Sequence, residues 1–503
     1  MTTAVSPAPT TSPAADRALE AAAALAPARG LRIGGEQHAA PSTFVVDDPG
    51  TGAVLAEVAD GDADAARAAV DAAAAAAAGW RAYSPRSRSD VLRRAHELVL
   101  ADIDRLALLV MAENGKPEAD ARAEVAYAAE FLRWYSEEAV RPGGSWGESP
   151  AGGTRSIVTH QPVGVAALVT PWNFPAAMIT RKVGPALAAG CTVVVKPAAE
   201  TPLTALALVD LLTEAGVPAG VVNVVPSTDP GTVVGSWLAD ERVRKVSFTG
   251  STRIGRLLLG QAADRVLLSS MELGGNAPFV VTADADVDAA VRGALVAKFR
   301  NGGQACTAAN RFLVHEAAAE RFTTALGEAV TAMRVGHALG GSPVEIGPMI
   351  TRAQAERIDA AVAAAEAAGA RVRARAEVPD AAGGSYVAPV VLDRVEAGSA
   401  LVADEIFGPV APIVTWGDGD DVVALANASE YGLAAYVYAG DLRRALELGE
   451  AIEAGMVGVN RGVVSDPSAP FGGVKQSGIG REGARDGLLE YTETKFLSVD
   501  WPA

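Results

Sequence analysis

Between Val163 and Gly255 short β-branched runs alternate with helical stretches. No other feature narrows the choice of folds as much. Val163–Thr170 is an apolar run ended by Pro171-Trp172-Asn173-Phe174-Pro175. A helical stretch then reaches Gly190, a C-terminal stop. Thr192–Val195 reads as a strand. Thr201-Pro202 opens a helix, with threonine as cap and proline in the first turn, and Gly216 closes it. Strands at Val221–Val225 and Lys245–Phe248 bracket a helix over 231–239. Gly250-Ser251-Thr252-Arg253-Ile254-Gly255 opens another helix. Strands joined by helical crossovers lie parallel, the doubly wound α/β plan. Such sheets bind ligands at the carboxyl ends of their strands, so segments 171–175, 196–201 and 249–255 are expected at a site.

Ahead of this block the pattern is helical from 62 to 140. Asp62 offers a cap to an Ala-rich helix ending near Ala78, and single helices are expected over Ser89–Glu113 and Pro117–Ala139. Segment 142–154 is rich in Pro, Gly and Ser and reads as a boundary. Behind the block a second α/β half begins. It has a helix at 285–299, a glycine loop at 302–303, and strands near 311–315, 386–392, 410–415 and 456–460. Residues 1–27 read as an unpacked tail with one weak Ala-rich helix.

The 503 residues suffice for about three domains. A net charge of −17 argues against nucleic acid and against an anionic membrane surface as partner. No apolar run reaches membrane-spanning length. Two cysteines in so long a chain do not make a disulfide framework, which points to a reducing, cytoplasmic setting. No metal site is expected.

The two cysteines differ in context. Cys191 lies in an apolar approach to a strand and reads as an inert thiol. Cys306 lies in the polar loop Arg300-Asn301-Gly302-Gly303-Gln304-Ala305-Cys306-Thr307, where a thiolate nucleophile would have access. Its local context leaves both readings open. Glu272, between apolar residues and Gly274-Gly275, is either a general base with a raised pKa or a turn carboxylate. Asn173, between two aromatic residues, is either an oxyanion donor or a turn residue. Gly250 to Gly255 is an incomplete phosphate-binding pattern.

In combination these segments carry more information. Thr170–Pro175, Val193-Val-Val-Lys196-Pro197, Phe248-Thr-Gly-Ser-Thr252, Glu272-Leu-Gly-Gly275, Gly303-Gln-Ala-Cys306 and Glu405-Ile-Phe-Gly-Pro409 follow in this order. From about residue 30 to 500 the chain resembles the aldehyde dehydrogenase family. Within it, Ala176–Gly184, Gly458–Ser465 and Ala469–Gly478 are most similar to the succinate-semialdehyde dehydrogenase subgroup.

The resemblance implies an α/β fold: a doubly wound parallel-sheet cofactor domain, a second α/β catalytic domain and a small β oligomerisation arm. The implied divisions are a tail at 1–29, a dinucleotide-binding domain at 30–143 and 163–274, a catalytic domain at 275–476, and the arm at 144–162 and 477–503. It implies a Cys306 nucleophile, an oxyanion held by Asn173 and the Cys306 N–H, Glu272 as general base and Lys182 as proton relay. It assigns Trp172, Lys196, Ala199, Gly250, Ser251, Glu405 and Phe407 to the cofactor. It assigns Arg181, Arg300 and Ser465 to the distal carboxylate of the substrate, which suits arginine forks and a hydroxyl.

Members preferring NAD carry a glutamate where this chain has Ala199, so NADP is expected, with NAD accepted as well. Ala308 stands where some relatives have a second cysteine, which excludes that disulfide switch here. The implied reaction is non-acylating oxidation of succinate semialdehyde. Alternatives are another ω-carboxy aldehyde such as glutarate semialdehyde, a general aldehyde, and a non-catalytic nucleotide-binding relative. The implied assembly is a homodimer or homotetramer, joined through segments 154–162 and 490–500.

Overall fold

A computed structural model describes residues 12–25, 29–141, 143–379 and 384–501. The amino-terminal part holds helix α1 (Pro13–Leu25), strands β1 (Leu31–Ile33) and β2 (Glu36–His38), and the hairpin β3 (Ser42–Asp47) and β4 (Val54–Asp60). Helices α2 (Ala63–Ala82), α3 (Pro85–Ala101), α4 (Ile103–Asn114) and α5 (Glu118–Glu138) follow. The alternating block comprises β5 (Gly144–Glu148), β6 (Thr154–Pro162), β7 (Val165–Val169), α6 (Ala177–Ala189), β8 (Thr192–Lys196), α7 (Pro202–Glu214), β9 (Val222–Val224), α8 (Pro230–Ala239), β10 (Val243–Thr249), α9 (Thr252–Ala263) and β11 (Leu268–Glu272). The second half runs through β12 (Ala277–Val281), α10 (Val287–Phe299), β13 (Ala309–His315), α11 (Glu316–Thr331), α12 (Arg352–Ala367), β14 (Arg371–Arg375), β15 (Val390–Asp393) and β16 (Val410–Trp416). Strands β17 (Tyr431–Gly432), β18 (Ala434–Tyr438), β19 (Met456–Val459), β20 (Val474–Lys475), β21 (Gly478–Ile479) and β22 (Thr492–Asp500) complete it.

The first sheet has the order β2-β1-β9-β8-β7-β10-β11-β21. Its five central strands are parallel, as the helical crossovers require. Both flanks are antiparallel, which a reading of crossovers alone does not foresee. Strand order reverses between β7 and β10, and a cleft opens at that switch point. The loops there are 170–176 and 250–251. The second sheet, β14-β15-β16-β13-β12-β18-β19, is parallel except for β14. A three-stranded antiparallel sheet, β22-β6-β5, stands apart, so the segments 154–162 and 492–500 pair with each other within the chain.

The Ala-rich α2 has a packing role. Asp62 caps it at Ala65 N, and Ala66, Ala69, Val70 and Ala73 form its buried face. Small side chains let a helix approach a sheet closely; here Thr192 Oγ1 at the start of β8 donates to Ala73 O at 2.9 Å. Trp80 and Trp237 are buried with their N–H groups satisfied by Leu187 O and Ala66 O.

Three expectations are corrected. The helix expected over 89–113 is two helices, because Asp102 (φ −104°, ψ +17°) ends α3 and starts α4. The tail is not unpacked over 13–25, where α1 buries Ala15, Leu19 and Ala22; the rest of it up to residue 11, and 26–28, lie outside the described residues. Thr201 makes no side-chain cap to α7; the Glu113 carboxylate accepts from Leu203 N and Thr204 N instead. Among the described residues no helix is long and apolar enough to cross a membrane.

Candidate active site

Cys306 follows the short 3-10 turn Arg300–Gly303, whose Asn301, Gly302 and Gly303 all have positive φ. At Gly303 a Cβ would lie 2.3 Å from Gly408 O, so only glycine brings the loop this close. The turn is held from several sides. Asn301 N donates to Asp120 Oδ2 (2.8 Å), Asn301 Nδ2 to Asn173 O (2.9 Å), and Ile350 N to Gln304 Oε1 (3.0 Å).

The half-buried thiol faces two cavities, and Met178 lines both. The first, about 150 Å³, is lined by Tyr127, Arg181, Arg300, Ser465, Phe174 and Phe471 among others. Arg181 Nη2 donates to Ser465 Oγ at 3.1 Å and to Tyr127 Oη, and those two hydroxyls also hydrogen-bond each other. Arg181 lies 4.1 Å from the Phe471 ring centroid and 3.6 Å from Glu482 Oε2, so part of its charge is balanced already. Arg300 lies over the Phe174 ring at 5.5 Å and makes no hydrogen bond or ion pair among the described residues. A guanidinium with free donors in a cavity is a receptor for an anion. The three residues expected at the distal carboxylate are thus brought together. Tyr127 was missed, because a tyrosine on the inner face of a helix reads as core. Its sequence signal is its position three and four residues from Glu124 and Ala123, which line the same cavity.

The second cavity, about 200 Å³, lies at the switch point and is lined by Trp172, Asn173, Gly250, Ser251, Glu405 and Phe407 among others. Asn173 donates one Nδ2 hydrogen to Gln304 O at 3.0 Å, which leaves the other for a ligand. Glu405 Oε1 accepts from Gly275 N at 3.0 Å, and burial pushes its carboxyl up to about 7 against that bond and the charges of Arg357 and Lys298. Phe407 (φ +54°) is fixed by Gln354 Nε2 donating to its carbonyl, and its ring meets Trp172 edge-on at 5.5 Å. Ser251 precedes α9 without capping it, so hydroxyl and helix N–H groups are free for a phosphate. Lys196 and Ala199 do not line this cavity. They lie at the carboxyl end of β8, beside the switch point, where the buried Lys196 ammonium has no hydrogen-bond partner among the described residues. A free helix start and a carboxylate in this cavity, with an unpaired ammonium at the end of the neighbouring strand β8, fit a dinucleotide.

Glu272 ends β11 and is 2 % exposed. Neither of its carboxylate oxygens has a hydrogen-bond partner among the described residues. Desolvation, and then the nearby Glu482, push its pKa well up, only partly offset by Lys182, Arg181 and Arg481. It lines neither cavity. Lys182 is also set behind them, donating to Ser247 Oγ at 3.0 Å and paired with Glu482. Glu482 was missed in the sequence, where a charge in a glycine-rich tail reads as solvated. Among the described residues no cluster could hold a metal ion.

Burial pushes the Cys306 thiol up to about 12, with Glu405 adding to the effect and Arg181 opposing it. Cys191 is fully buried, and burial pushes it up to about 11. Iodoacetamide should therefore alkylate Cys306 at a rate that keeps rising past pH 10, while Cys191 in the native fold stays unlabelled. Peptide mapping by mass spectrometry reads both. Equal labelling of the two would contradict this placement.

Known proteins resemble this chain over most of its length. The profile described as "Aldehyde dehydrogenase family" matches residues 36–497. A succinate-semialdehyde dehydrogenase of Paenarthrobacter nicotinovorans is 51% identical over 450 residues, 89% of this chain and 99% of the relative. The Escherichia coli K12 succinate-semialdehyde dehydrogenase [NADP(+)] is 47% identical, over 90% of this chain and 94% of the relative. The crystal structure of a succinate-semialdehyde dehydrogenase from Burkholderia pseudomallei superposes with a TM-score of 0.92 at 45% identity, covering 95% of this chain and 99% of that one.

Proposed function

The chain belongs to the aldehyde dehydrogenase family, and from that premise we propose that it oxidises succinate semialdehyde to succinate with NADP, through a thioester on Cys306. The observation that carries the substrate is the small cavity in which Cys306 shares walls with Arg181, Arg300 and Ser465. An aldehyde whose far end is a carboxylate satisfies both ends of it at once. The names of the relatives support the same substrate, and one of them names NADP.

Cys306 attacks as the thiolate, its proton having passed to water in the cavity that the thiol faces. Sulfur then bonds to the aldehyde carbon. The resulting alkoxide accepts hydrogen bonds from the free Asn173 amide N–H and from the Cys306 N–H. NADP, when bound, supplies the acceptor for the hydride that converts this thiohemiacetal to a thioester. Trp172, Gly250, Ser251, Glu405, Phe407 and Lys196 would hold it. Ala199 puts no carboxylate against a 2′-phosphate and Lys196 offers a positive partner, so NADP is favoured over NAD. For hydrolysis Glu272 must swing from its place by Gly472 and Glu482 toward Cys306. There it takes a proton from water, which attacks the thioester carbon; the thiolate departs and succinate is released. Lys182 and Glu482 stand behind Glu272 to pass the proton on.

We assign residues 30–143 and 163–274 to cofactor binding, 275–476 to catalysis, and 144–162 with 477–503 to the arm, within which β21 pairs back onto β11 of the first sheet. The outer edge of β22 and the exposed Phe496, Trp146 and Trp501 suit contact with a second copy, as dimer or tetramer. Two unpaired thiols suit the cytoplasm.

The test is Arg300→Ala against the native enzyme, with succinate semialdehyde, glutarate semialdehyde and a neutral aldehyde. Arg300 is the better choice than Arg181, because Glu482 does not share its charge. Removing a charged partner of a bound carboxylate costs about 2–5 kcal/mol. The expected loss in kcat/KM for succinate semialdehyde is therefore on the order of 10²-fold. The neutral aldehyde should be unaffected. Equal native rates on the neutral aldehyde and the semialdehyde would sink the substrate assignment and leave only aldehyde oxidation.

A further inference from the structure

Around the turn between α4 and α5 lie buried polar side chains that no step of this reaction uses. Glu113 accepts from Leu203 N (2.7 Å) and Thr204 N (2.9 Å) at the start of α7. Asn114 Nδ2 donates to Trp172 O at 3.0 Å. Lys116, 1% exposed, donates to Asn173 O at 2.8 Å, pairs with Glu124, and lies 4.2 Å over the Phe174 ring. Glu124, with a fully buried side chain, accepts from Ala176 N (2.8 Å) and Ala177 N (3.3 Å). Those are the first donors of α6, which has no side-chain cap of its own.

An ion pair buried this completely is a poor way to gain stability, since apolar residues of equal volume serve as well or better. What charges add is direction. The Lys116 ammonium reaches three groups at once: the Asn173 carbonyl, the Glu124 carboxylate and the Phe174 face. It grips Asn173 by the main chain, which leaves the side-chain amide to face the cavity. Glu124 carries the same restraint to the start of α6, and Arg181 lies on α6. We propose that Lys116 and Glu124 are positioning residues that hold the Asn173 amide and the Arg181 guanidinium in fixed register with Cys306. The proposal rests on the reading of Asn173 as an oxyanion donor. A misplacement of about 1 Å at such a group can cost on the order of 10²-fold in rate.

Lys116→Met alone would strand a buried carboxylate and risk the fold. The informative variant is Lys116→Met with Glu124→Gln, a neutral pair of similar volume in which the glutamine oxygen still accepts from Ala176 N. It should melt within a few degrees of the native protein and bind NADP equally well by fluorescence titration. Its kcat should fall by about 10- to 100-fold, for succinate semialdehyde and for a neutral aldehyde alike, with little change in KM for the neutral one. Asn173→Ala is measured beside it. If Asn173→Ala loses kcat while the folded double variant keeps native kcat, the pair is only structural and the proposal is overturned. If Asn173→Ala itself keeps native kcat, the oxyanion reading fails first and takes this proposal with it. Should the double variant not fold, Lys116→Arg is read the same way, because it keeps the charge and displaces the donor to Asn173 O.

Discussion

Glu272→Gln should keep the first half of the reaction and lose the second. On mixing with NADP and succinate semialdehyde, the variant is expected to release one equivalent of reduced cofactor per active site and then stall as the thioester. Its steady-state kcat should fall by about 10²- to 10⁴-fold, the usual reach of a general base. The pH profile carries a second signature. Burial and Glu482 hold the Glu272 carboxyl well above the ordinary range, and only its ionised form can accept a proton from water. Native kcat should therefore climb with pH through a limb lying higher than a free glutamate would give, and the variant should lack that limb. Stopped-flow absorbance at the reduced-cofactor band reads both. A variant that turns over at native rate would remove Glu272 from the mechanism.

Cys306→Ala should have the largest effect of all. No thioester can form, and without the covalent step turnover should drop by on the order of 10⁴-fold or more. The change removes one sulfur from a half-buried position between two cavities, so the fold and NADP binding should survive. Cys191→Ala is the matching control. That thiol packs at the start of β8, with Sγ 3.3 Å from Tyr491 O, and its loss should leave kcat unchanged. Substantial residual oxidation by Cys306→Ala would mean that the nucleophile lies elsewhere.

What could be read in the sequence was what is local. The β-branched runs and the glycine stops placed β7 to β10 and the helices between them, because each signal sits within a few residues of the element it controls. The contrast between Cys306 and Cys191 was legible for the same reason. The break at Asp102 was not, since no glycine or proline marks it. Nor was the cap on α7, which comes from Glu113, 90 residues away. Lys116 beside Pro117 reads as a solvated charge, and only the fold shows it buried. The antiparallel flanks of the first sheet rest on β1, β2 and β21, strands of two or three residues that carry no periodic pattern. For the roles of Arg181, Arg300 and Ser465 the residues alone were silent, and the resemblance to a family supplied the expectation.

The short β21 sets the order in which the protein can be finished. It pairs with β11 at Met271 and Glu272, and the buried Ser477 beside it donates to Gly274 O, 203 residues earlier in the chain. At Gly478 a Cβ would come within 1.8 Å of Met271 O, so only glycine at this position lets the segment dock there. A ribosome making this chain exposes Cys306, Glu272 and both arginines long before residue 478 emerges. Until then the strand that ends in Glu272 has an open edge, and its carboxylate lacks the wall that Gly472 and Glu482 later provide. Nascent chains should thus acquire their aldehyde chemistry only once residues 472–482 have emerged, and chains cut short before Gly478 should be inert.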